Sequence, residues 1–181
     1  MTAPTLGRLD LVPATSATHL LAPPVADGVA GQEDAWVCEI DPGLADTAEF
    51  GEAFDVPPEA SANCVVVLGR RGDDETLAAC MVLADSRLDV NKAVRKHLDV
   101  RKCSFAPMDR ATSETRMEYG GITPVGVPAA WPVLVDERVA AQPWVVVGSG
   151  LRRSKLVLPG AVVASLPGAV VGVFATPPSA I

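Results

Sequence analysis

The chain has 181 residues, 49% hydrophobic but only 4% aromatic, with 16 prolines, 15 glycines and a formal charge of −7. This length suits one ordinary domain whose core is built from Val, Ala and Leu, with many short connections. The acidic balance excludes a protein that coats nucleic acid nonspecifically, because such binding depends on Lys and Arg neutralising phosphates.

Taken in chain order, residues 1–32 are rich in Ala, Pro and Thr without a clear period. They predict an irregular, loosely tethered N-terminal arm with one short helix near residues 16–21, and residues 33–181 form the single domain. Residues 36–40 have strand composition, and residues 44–54 place apolar side chains on one helical face until Asp55 to Pro58 ends it. Strands at 64–68 and 76–83 flank a glycine-rich, charged loop at 69–75 and pair antiparallel. Asp89 caps a helix over 90–97, which leaves His97 at the core edge.

Residues 101–105 return as a strand, and a short helix opens at Pro107 and Met108 and closes at Gly120. Further strands lie at 132–135, 144–147, 154–158 and 169–174. The uncharged stretch 156–181 has the length of a membrane span. It is broken by Pro159-Gly160, Pro167-Gly168 and Pro177-Pro178, so it reads as strand, turn, short helix and strand, with no membrane role. Strands outnumber helices without strict alternation. The predicted fold is therefore α+β, a mixed, partly closed, barrel-like sheet with helices packed outside.

Cys38, Cys64, Cys80 and Cys103 form no CxxC pair, and His19 and His97 are the only histidines, so neither a metal site nor a cofactor is expected. With no signal-like leader in the first residues, the expected compartment is a reducing cytoplasm. Cys64 points away from Asn63 and Val65 on its strand, which predicts a core residue and not a nucleophile, and Cys80 and Cys103 are read the same way.

The most informative run is Met117-Glu-Tyr-Gly120-Gly121-Ile122-Thr123-Pro124-Val-Gly126, followed by Trp131-Pro-Val-Leu-Val-Asp136 and Gly148-Ser149-Gly150. Its glycines let main-chain N–H groups approach a ligand, and its proline fixes one turn. Such donors can hold the oxygen of an ester or carboxyl group; the alternative is a structural turn between helix and strand. Ser149 lacks the histidine base and the GxSxG elbow of a serine nucleophile. Asp136 either orients loop amides or caps the following segment.

In order and spacing these residues resemble the YbaK/ProX family, the editing domains associated with prolyl-tRNA synthetase, over residues of about 36–174. The resemblance implies a barrel-like α+β fold and an aminoacyl-tRNA deacylase acting in trans on a tRNA mischarged with a small amino acid. It implies Asn63, Gly120 and Gly121 as the catalytic positions. Ile122, Thr123, Pro124, Gly126, Asp136, Gly148, Ser149 and Gly150 would bind the substrate. The ribose hydroxyl and an ordered water would supply much of the chemistry.

Asn63 stands where the family carries a substrate-holding lysine. A charged donor contributes about 1.5–3 kcal/mol and a neutral one about 0.5–1.5 kcal/mol. The alternative is therefore a non-catalytic module that binds aminoacyl-tRNA or a small ligand and lost turnover with the lysine. Two basic clusters offer tRNA contacts: Lys92, Arg95, Lys96, Arg101 and Lys102, and then Arg152 and Arg153 with Lys155; the competing reading is a solvated helix face and a strand end. The implied partners are the acceptor end of an aminoacyl-tRNA and an aminoacyl-tRNA synthetase, with no DNA.

Overall fold

The computed structural model describes residues 2–176. The Pro177-Pro178 break and the last residues of the 33–181 span lie outside the described residues.

Strand β1 (Val12–Pro13) pairs antiparallel with β2 (Trp36–Glu39), and helix α1 (Pro23–Gly28) lies between them with prolines in its first turn. The loosely tethered arm expected here is corrected. Ala14, Leu20, Leu21, Ala22, Val25 and Val29 are buried in the largest core cluster. Leu21, Val25 and Val29 recur at spacings of four, an apolar stripe that the Pro and Ala content obscures.

Helix α2 (Thr47–Phe54) follows a short turn at Pro42–Leu44, buries Phe50 and ends with Asp55 in the left-handed region. Strands β3 (Ala62–Arg71) and β4 (Asp74–Leu83) then form a hairpin registered from Ala62 opposite Leu83 to Arg71 opposite Asp74. The loop expected over 69–75 shrinks to Gly72-Asp73. Arg70 lies directly opposite Glu75 and ion-pairs with it at 2.8 Å, so charges that resemble a loop instead stabilise a strand pair.

After β5 (Arg87–Leu88), Asp89 caps a wide turn over Val90–Val94 through Lys92 N–H at 3.0 Å, and α3 (Arg95–His97) completes the segment. His97 meets Phe174 edge-on at 5.4 Å. Strand β6 (Lys102–Phe105) adds to the far half of β3, and α4 (Met108–Thr115) follows. This helix ends at Arg116 (φ 56°) and not at the expected Gly120, which turns Met117 into the core.

The remaining elements are β7 (Val133–Asp136), α5 (Glu137–Ala140), β8 (Val145–Gly148), β9 (Ser154–Leu158), α6 (Gly160–Ala164), β10 (Ala169–Gly172) and β11 (Ala175–Thr176). Two main sheets result, one ordered β1-β2-β9-β8 and one ordered β10-β7-β4-β3-β6, with a small β11-β5 pair. Strand β7 is parallel to both β4 and β10 and fully buried, as a parallel strand covered on both faces should be. The α+β class and the mixed sheet are as predicted, but the sheets stay open and do not close a barrel. A single bridge, Ser61 to Val146, ties the start of β3 to β8. Among the described residues no helix is long and apolar enough to cross a membrane.

Candidate functional site

The site lies at that bridge, where β3 diverges from β8 and β9. A cavity of about 220 Å³ opens there, walled by Asn63 and Cys64 of β3, Gly148 of β8, Lys155 of β9, the loop residues Tyr119, Gly120 and Ile122, and residues 45–47 ahead of α2.

The two glycine bends are held together by main chain. Gly150 N–H donates to the Gly121 carbonyl at 2.7 Å, and Glu118 N–H donates to the Gly150 carbonyl at 2.8 Å. Gly148 packs so closely that a methyl group in its place would collide with the Gly121 carbonyl oxygen and lie 2.6 Å from that of Ile122. This interlock corrects part of the predicted donor set. Gly121 N–H is already given to the Glu118 carbonyl at 2.9 Å. The N–H groups of Gly120 and Ile122, both at the cavity wall, have no partner among the described residues.

Asn63 accepts a hydrogen bond from Thr47 Oγ1 at 2.6 Å, so its NH2 group is what it can offer a ligand. It also borders a longer open groove of about 1010 Å³ running past Val65 and residues 87–91 to Phe105. Cys64, expected in the core, is half-buried and faces the cavity. Burial pushes its thiol up to about 12, so at neutral pH it is not the thiolate a nucleophile requires.

The sequence family described as aminoacyl-tRNA editing domain matches residues 41–166. The chain belongs to that family. Among solved structures, a proposed trans-editing enzyme for prolyl-tRNA synthetase superposes with a TM-score of 0.73 at 21% identity, covering 86% of this chain and 96% of its own. The hypothetical protein APE2540 gives a TM-score of 0.75 at 18% identity, covering 84% and 99% respectively. The resemblance read from the glycine loops and the family match agree.

The other predicted positions of this editing domain support the cavity or lie elsewhere. Thr123 and Pro124 are buried behind its wall. Gly126 has φ 79°, and a side chain there would collide with the Pro24 carbonyl of α1. Ser149 Oγ is 2.8 Å from Ser154 Oγ and accepts from Leu151 N–H, a structural role. Gly150 packs against Ala22 and Val25. Asp136 caps α5 through Oδ1, which accepts from Arg138 N–H at 3.1 Å, and also orients main-chain amides away from the cavity through Oδ2, which accepts from the N–H groups of Phe174 and Ala175 at 2.9 Å each.

Lys92, Arg95, Lys96 and Arg101 border a separate shallow groove; Lys102, on the exposed strand β6, is outside its lining. Arg152 stands at the cavity rim, 3.9 Å from Asp46 and 3.5 Å from the Tyr119 carbonyl. Arg153 is exposed and donates to the His19 carbonyl at 2.6 Å. Lys155 is corrected outright. Read as one of the exposed basic residues, it is only 7% exposed, lines the cavity and donates from its ammonium to the Ala45 carbonyl at 2.6 Å. Alternation from the exposed Arg153 would have turned it outward, but all five residues of β9 are buried. No group of three or more His, Cys, Asp or Glu side chains gathers for a metal ion among the described residues.

Proposed function

We propose that this editing domain is a trans-acting deacylase that hydrolyses the ester of a tRNA mischarged with a small amino acid. The observation that carries the reading is the 220 Å³ cavity on which Asn63 and the two glycine bends converge. Ligand pockets for drug-sized molecules span roughly 300–1,000 Å³, so this chamber suits a short acyl group.

In this reading water attacks the ester carbonyl carbon, and the carbonyl oxygen gains negative charge beside the free N–H groups of Gly120 and Ile122. The carbon–oxygen bond to the ribose then breaks, the ribose oxygen takes a proton, and the free amino acid leaves. Loss of one such donor costs roughly 10²–10³ in rate. Asn63 positions the substrate through its NH2 group. Tyr119, 61% exposed at the mouth, offers a stacking face to the terminal base, with Arg152 beside it. Lys92, Arg95, Lys96, Arg101, Lys102 and Arg153 are the proposed contacts to the tRNA backbone, a cytoplasmic partner that a synthetase would supply.

The second reading, a binding module without turnover, rests on the neutral Asn63. Incubation with a panel of charged tRNAs decides between them. Release of alanine, serine or cysteine above the uncatalysed rate is expected, whereas retention of a non-hydrolysable aminoacyl-adenosine amide with no release from any tRNA would favour the module.

A further inference from the structure

Strand β9 brings Lys155 alongside Gly148 of β8, where no side chain obstructs it, and its stem runs inward to the cavity. Its ammonium has three donors. One goes to the Ala45 carbonyl at 2.6 Å, and the Phe50 ring lies 5.2 Å away on one side. No carboxylate lies within ion-pair distance of it among the described residues. A buried, unpaired cation is expensive to keep, and an apolar residue would pack the same strand position without that cost. Two unmet donors on a side chain that lines a chamber of this size call for an oxygen with negative charge.

We infer that Lys155 is the substrate-holding cation of this cavity, binding an anionic oxygen at the charged end of the aminoacyl-tRNA. The positive charge thus enters from β9, across the chamber from the neutral Asn63. The inference rests on the editing reading above. The oxygen is either the acyl oxyanion that develops during hydrolysis or a phosphate of the terminal nucleotide, which share this chemistry. Burial lowers the proton affinity of the Lys155 ammonium, an effect that Asp46 at the mouth partly offsets and Arg152 adds to.

The test compares wild type, Lys155→Met, Lys155→Arg and Lys155→Met with Asn63→Lys. Deacylation of alanyl-, seryl- and cysteinyl-tRNA is measured together with affinity for 3′-alanylamido-adenosine 5′-phosphate and the melting midpoint. Lys155→Met should lose about 10- to 100-fold in kcat/KM, as expected for a charge-assisted contact, without a lower midpoint. Lys155→Arg should keep part of the activity, and Asn63→Lys should restore at least tenfold in the Lys155→Met background. A loss in kcat identifies the oxyanion, and a loss in KM matched by weaker analogue binding identifies the phosphate.

Wild-type kcat/KM and affinity in Lys155→Met would overturn the inference, as would an activity loss that Asn63→Lys and Lys155→Arg both fail to relieve. If wild type releases no amino acid from any tRNA, the deacylase reading fails by itself. Lys155 is then judged by the analogue, with at least tenfold weaker binding by Lys155→Met supporting its role and equal binding refuting it.

Discussion

Gly148 is the residue on which the cavity's shape turns, because the carbonyls of Gly121 and Ile122 occupy the space a side chain would need. Gly148→Ala should push the bends apart, destabilise the fold by about 1–3 kcal/mol as overpacking does, and cut deacylation at least tenfold. Urea unfolding and single-turnover kinetics check both effects. Cys64 beside it should behave as an inert thiol: with its proton retained until about pH 12, alkylation by iodoacetamide at pH 8 should run far slower than for a free thiol of pKa about 8.5. Mass spectrometry of the labelled native chain reads this directly.

Among the elements, the end of the β3-β4 hairpin is fastened to α5 by Arg138, which grips Asp85 with two hydrogen bonds of 2.9 and 2.7 Å. Arg138 holds the Asp85 carboxyl below the usual range. The stabilisation is therefore complete above the unfolded carboxylate value of about 3.9 and is lost as pH falls through the lower folded value, amounting to about 1 kcal/mol. Thermal melts at pH 7 and pH 3 should show that loss, and Asp85→Asn should flatten it. Most strands were legible from their apolar runs and glycine turns, β9 to the residue. Less legible were features set by distant partners: the charged extension of the hairpin, the parallel insertion of β7 between β4 and β10, and the early end of α4 at Arg116. Of the residues that line the cavity, Gly120, Ile122 and Gly148 could be read from the motif and Asn63 from the resemblance. Lys155 could not, because its lining position depends on how β9 meets β3 through another sheet.

In the whole molecule, the N-terminal residues hold the site from behind. Ala22 N–H donates to the Ser149 carbonyl at 3.0 Å, Pro24 fills the turn at Gly126, and Val25 is fully buried. A chain beginning at residue 41, where the family match starts, should lose this support. The expected outcome is a lower melting midpoint and little deacylation, followed by circular dichroism and amino-acid release against the full chain. The interlocked bends also decide how selectivity could change. Where the chamber is bounded by bare backbone, trimming a side chain cannot widen it. Admitting a bulkier acyl group would have to come through walls that carry side-chain atoms, such as Ile122, Thr47 or Cys64.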